Sequence, residues 1–155
     1  MKTYRIALIC LLLGAVLSGC APENAAPAQE EESITSKEET TEMKDTMQLL
    51  IGETEVPVTW EDNASVEALK GLRPLTIEMS MYGGFEQVGR IGQSIVRDDE
   101  EITTDAGDIV LYSGNQIVIF YGSNSWAYTR LGHVNLSRKE MQELLGGGDV
   151  EITLK

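Results

Sequence analysis

Two apolar runs at residues 108–113 and 116–121, separated by Gly114-Asn115, constrain the fold of this 155-residue chain more than any other feature. Each run has the length of one strand and is rich in Ile, Val and aromatic side chains, and the short Gly-Asn break between them is a hairpin signal. Their near-continuous apolar character predicts burial on both faces, as in a closed sheet whose ends or sides are covered by helices.

The remainder of residues 47–155 reads as elements that surround this hairpin. Residues 47–51 and 55–60, joined through Gly52, form a first hairpin, with Pro57 suited to an edge or a bulge. Residues 65–72 predict a short helix with Val66, Leu69 and Leu72 on one side, Asn63 or Ser65 as its cap and Pro74 beyond its end. Residues 75–81 alternate as a strand, and 126–131 supply another. Ser137-Arg138-Lys139-Glu140 is a capping box, Leu136 is placed to staple onto Met141, and Gly146 supplies the stop. Residues 149–155, with Val150, Ile152 and Leu154 in alternation, give a final strand. There is material here for one core and one domain.

The beginning of the chain has a different character. Lys2 and Arg5 precede an apolar run at residues 6–17 that is short for a membrane span, and Leu17-Ser18-Gly19-Cys20 follows. This order resembles the leader of bacterial lipoproteins, which implies a signal peptide at residues 1–19 and a lipid on Cys20. Cys10 would leave with the leader and Cys20 would be acylated, so no thiol would remain for a disulfide, a nucleophile or a thiolate metal site. Residues 20–46, rich in Glu, Thr, Ser, Ala and Pro with an acidic cluster at Glu30, Glu31 and Glu32, predict a disordered tether because little in them can be buried. The expected location is extracytoplasmic, lipid-anchored to the bacterial cell membrane, or to the outer membrane of a host that has one; Ala21 is compatible with both.

A formal net charge of −13 excludes partners that need a basic surface. Nucleic acid would be repelled and would find no Lys/Arg patch for counterion release. Anionic lipid would be repelled equally, so attachment depends on acyl chains.

Read together, Tyr82-Gly83-Gly84-Phe85-Glu86, Gly107-Asp108-Ile109-Val110-Leu111-Tyr112, the run 114–122 and Ser123-Asn124-Ser125-Trp126 resemble the bacterial cyclophilin-like domains, over nearly all of residues 47–155. The resemblance implies a mainly β fold: a closed antiparallel cyclophilin-like β-barrel with two short helices. True cyclophilins isomerise X-Pro bonds with an arginine in a Phe-His-Arg string, followed by a Phe-Met-Gln-Gly-Gly-like segment. Here Met81-Tyr82-Gly83-Gly84-Phe85 stands where that machinery would be expected, and the one histidine, His133, has neither Phe before it nor Arg after it. Arg90 could place a cation near that segment, although no motif assigns it the role.

Two places could receive a ligand. At Tyr82, Gly83, Gly84 and Phe85, paired glycines between aromatic rings let backbone approach a ligand, or equally make a tight barrel corner with the rings as plugs. Gly89 and Gly92 suggest a mobile loop beside it. Strand periodicity also puts Trp126, Tyr128 and Arg130 on one face, either as a binding wall or as a barrel exterior covered by a helix with Arg130 reaching water. Asp98, Asp99, Glu100 and Glu101 lack the alternation and central glycine of a calcium loop and read as solvated loop, and His133 has no second histidine at metal spacing. No P-loop lysine and no Gly-x-Ser-x-Gly elbow occurs. Neither a metal nor another cofactor is expected. The leading expectation is a surface-tethered module that binds a peptide, a protein or a small molecule; a divergent peptidyl-prolyl isomerase acting on exported proteins and an accessory envelope domain are the alternatives.

Overall fold

In the computed structural model, which describes residues 46–155, the central hairpin pairs strand β7 (Asp108–Tyr112) with β8 (Gln116–Phe120). The turn between them places Ser113 at φ 53° and Gly114 at φ 75°. The expected leader at residues 1–19, the expected lipidation site Cys20 and all but the last residue of the expected tether lie outside the described residues.

Around this hairpin the order of elements is β1 (Leu49–Ile51), β2 (Thr54–Val56), β3 (Val58–Trp60), α1 (Ala64–Lys70), β4 (Leu75–Tyr82), β5 (Glu86–Arg90) and β6 (Glu100–Thr103). After β7 and β8 come β9 (Ser125–Val134), α2 (Arg138–Leu145) and β10 (Val150–Leu154). All ladders are antiparallel, and nine strands follow one path, β2-β1-β10-β4-β5-β8-β7-β9-β3. The two ends of that path, β2 and β3, are consecutive in the chain and meet at Pro57. Proline has no N–H to give a ladder, so pairing stops there: the segment turns from β1 on one side to β9 on the other and brings the sheet round into a barrel. Gly52, at φ 57° in the two-residue turn from β1 to β2, holds the first hairpin as the sequence suggests.

The interior is filled by side chains from alternate strand positions. Ile109 and Leu111 of β7, Ile117 and Ile119 of β8, Ile77 and Met79 of β4, and Ile152 and Leu154 of β10 are all buried in one cluster. Both helices contribute to it: Val66 and Leu69 from α1, capped by Asn63, and Met141 and Leu145 from α2. The capping box of α2 forms in full, with Ser137 and Glu140 exchanging side-chain-to-backbone bonds. Gln87 of β5 donates to the carbonyls of Leu145 and Gly148, each at 2.7 Å, and so fastens the end of α2 to the barrel.

Four expectations change. β6 is a strand where solvated loop was expected at Glu100 and Glu101; it pairs with the first half of β9, outside the main path. Just before it, Asp99 accepts a hydrogen bond from Thr129 and pairs with Arg97 at 3.0 Å. β9 runs on to Val134, so His133 lies within it, in hydrogen-bond contact with Asp108 at 2.8 Å. Gly89 belongs to β5 and not to a mobile loop: a Cβ there would come within 2.5 Å of Ile77 and Met79 side-chain atoms, so its role is to let the β4 core pack closely. Finally, the outer faces of β7 and β8 are covered by aromatic side chains, not by a helix.

Candidate functional site

The outward residues of the central strands, Val110, Val118 and Phe120 with Tyr128 of β9, form a second buried cluster on the barrel's outer wall. Rings pack edge to face across it: Tyr128 lies 5.8 Å from Phe120 and 5.9 Å from Tyr112, centroid to centroid, at interplanar angles of 69° and 66°. This packing fixes the rings without filling the space above them. A groove of about 300 Å³ opens there, floored by Val88, Val118, Tyr112 and Tyr128 and bounded by Tyr82 and Trp126. Those two bounding residues are 67% and 57% exposed, unusual for large aromatics that lie so near a core.

Tyr82 owes its position to the β4–β5 turn. Gly83 and Gly84 take φ 62° and 75°, Tyr82 pairs with Glu86 across the ladder, and the N–H of Phe85 donates to the Tyr82 carbonyl at 3.4 Å. Phe85 folds back over Gly83 and against Gly122, so its ring supports the outer cluster from beneath the turn. The glycine pair is therefore the tight corner that was one of the two readings, Phe85 is the plug, and Tyr82 is left facing the groove.

Glu86 is the residue that sequence reasoning missed as a site. It lines the groove, only 6% of it is exposed, and its Oε2 is buried without a hydrogen-bond partner. Tyr82 and Phe120 flank it across the two ladders. Burial pushes its carboxyl above the usual carboxylate range. Burial first, and then the Glu86 charge, likewise raises the phenols of Tyr121 and Tyr128, so both rings lie within its field. Asn124 donates to the Tyr128 hydroxyl oxygen at 3.1 Å, which completes a polar end to an otherwise apolar groove; Gln116 lines it as well. The hairpin register was the available signal: a residue directly opposite Tyr82 across a Gly-Gly turn shares its face.

The other expected site residues are placed differently. Trp126 and Tyr128 share the groove, but Arg130 does not line it; its guanidinium lies 3.4 Å from Asp108 Oδ2, and it borders a separate depression with Asn63 and Ser65. Arg90 is exposed at the far end of β5, opposite Gln116, in a wider depression of about 520 Å³ that also carries Thr76, Glu78 and Ser80. Among the described residues no Lys or Arg lines the aromatic groove. No group of three or more His, Cys, Asp or Glu among them is arranged to hold a metal ion, and no described helix is long and apolar enough to cross a membrane.

A family model, described as that of the cyclophilin-like family, matches residues 49–155, which is every strand and both helices. No curated protein matches the chain.

Proposed function

The chain belongs to the cyclophilin-like family, and from that premise we propose that it is a binding module that takes a small ligand or a peptide side chain into the outer-wall groove. The observation that carries this reading is the groove itself: two exposed aromatic rings, Tyr82 and Trp126, beside a buried carboxylate oxygen that has no partner. An unsatisfied buried polar group costs about 1–3 kcal/mol, and a ligand that satisfies it while covering the rings recovers that cost. The volume is at the small end of ligand pockets, which run from about 300 Å³ upward, so a peptide would enter through one side chain.

The same proposal includes the location. The lipoprotein-like box before Cys20 supports an extracytoplasmic protein held to the membrane by lipid on that cysteine, with its domain presented to exported proteins or extracellular solutes. No observation favours the prolyl isomerase alternative, because neither Arg90 nor Arg130 lines the groove.

The test is a screen of small molecules and short peptides, read by titration calorimetry and repeated with Tyr82→Ala and Trp126→Ala. Both side chains are more than half exposed, so both variants are expected to keep wild-type stability while they lose the ligand. Ligands that bind both variants with unchanged affinity would refute the groove as the site.

A further inference from the structure

We infer that the groove is built for an organic cation, an ammonium or guanidinium head on an apolar stem, with the head paired to Glu86 and the stem laid along the aromatic floor. This rests on the groove being the binding site and names the chemistry it selects.

Charge complementarity carries the inference. Glu86 is the one ionisable carboxyl in the groove, more than nine-tenths buried, and its Oε2 has no donor from the protein. From every strand that lines the groove around it the facing groups are uncharged or phenolic: Tyr82 from β4, Tyr112 from β7, Phe120 from β8 and Tyr128 from β9. Tyr121, the residue after β8, is also within its field and is also a phenol. The cation on its own strand, Arg90, is four residues further along, about 13 Å at the rise of a β-strand, and opens into a different depression. The protein therefore presents a desolvated acceptor and supplies no counter-ion for it.

The walls fit the same ligand. Ring faces attract cations through their quadrupoles, most strongly for Trp, and Trp126 and Tyr82 stand exposed on the two sides. Val88 and Val118 offer apolar floor to a stem. A neutral donor would satisfy Oε2 but would forgo both the ion pair and the attraction to the rings. A carboxylate or phosphate would meet Glu86 as a like charge, on a chain that already carries −13.

Binding has a proton consequence. Burial holds the Glu86 proton more tightly than in water, so a cation that pairs with the ionised form must displace that proton. Affinity then rises with pH through the titration of Glu86 and levels off above it.

The experiment uses the full-length chain in non-ionic detergent. Four probes are titrated: n-butylguanidinium, its neutral isostere n-butylurea, an acetylated arginine tripeptide, and the same tripeptide with citrulline. The Trp126 indole resonance is followed in wild type and in Glu86→Gln. Both cations are expected to shift it, the neutral partners to bind about tenfold or more weaker, and Glu86→Gln to remove that preference. A tighter fit for the free guanidinium or for the peptide identifies which source of the head the groove accepts. The pH profile in wild type gives a second reading that needs no variant, with affinity rising for the cations and flat for the ureas. Neutral probes that bind as tightly as their cations would overturn the inference and leave the groove reading intact. Probes that all leave the Trp126 resonance unmoved would overturn both.

Discussion

Replacing Gly83 and Gly84 one at a time by alanine separates two costs that the β4–β5 turn combines. Both glycines have positive φ, 62° and 75°, so an L side chain at either position pays about 1–2 kcal/mol for the left-handed conformation. Each substitution also regains about 0.4–1 kcal/mol by restricting the unfolded chain. Only at Gly83 does the new methyl collide: its position lies 2.3 Å from Phe85 Cε1 and 2.9 Å from Cδ1 and Cζ, whereas around Gly84 nothing lies within 4 Å. The ring has little freedom to withdraw. A Cβ on Gly122 would lie 2.5 Å from Phe85 Cβ, and the N–H groups of Tyr121 and Gly122 both donate to the Phe85 carbonyl at 2.9 Å. Overpacking of this kind costs about 1–3 kcal/mol. Gly84→Ala should therefore lose about 1 kcal/mol and Gly83→Ala about 2–4 kcal/mol. Denaturant titration reads both as shifts in midpoint at constant slope. The backbone and unfolded-chain costs cancel in the difference between the two variants, which leaves the ring contact alone. Equal midpoints would refute the seating of Phe85 over Gly83, and with it the account of how the turn presents Tyr82 to the groove.

Two further outcomes are expected. Because the folded state raises the Glu86 carboxyl, its contribution to stability is fully present below the ordinary carboxylate range and is lost as pH rises through the folded value. Relative to Glu86→Gln, the wild-type unfolding free energy should thus fall with rising pH across that window and then stay level; parallel profiles would remove Glu86 as the titrating group. In a bacterial host, Cys20→Ser should abolish incorporation of a clickable fatty acid and release the domain from the membrane fraction, and a variant that still acquired lipid would exclude Cys20 as the anchor.

Much of the barrel could be read from residues 47–155 because its strands obey simple periodicities. Val150, Ile152 and Leu154 alternate because β10 has one face in the core, and β7 from Ile109 and β8 from Ile117 are continuously apolar because both their faces are covered. The strand β6 escaped because its pattern is set by where it packs: it lies outside the barrel, Glu100 and Glu101 are exposed, and Ile102 is its single apolar contribution to the outer cluster. Gly89 misled for a related reason, since a glycine that marks a flexible loop and one that makes room for Met79 are identical until the neighbouring strand is known. At the site, the aromatic residues Tyr82, Trp126 and Tyr128 were visible as a chemical type, and the groove brings them together. Glu86 was not visible, because a lone glutamate in a strand ordinarily faces water. It is buried beside a register partner, Phe120, that lies more than thirty residues away in sequence. Arg130 was one member of the stripe that could form a binding wall, but its guanidinium lies against Asp108 of the neighbouring strand and not in the groove.

The bend at Pro57 has a consequence for how the molecule comes into being. The stretch from β1 to β3 straps β10 to β9, so two of its three strands find their outside partners only near the opposite end of the sequence. With translation at about 5–20 residues per second, the roughly 100 residues that separate Leu49 from Leu154 take on the order of 5–20 s to appear. Throughout that interval the nascent strap has unpaired edges and no barrel to join. A chain that stopped before Val150 would lack the strand that bridges β1 and β4, and its sheet would have nothing to lace it shut.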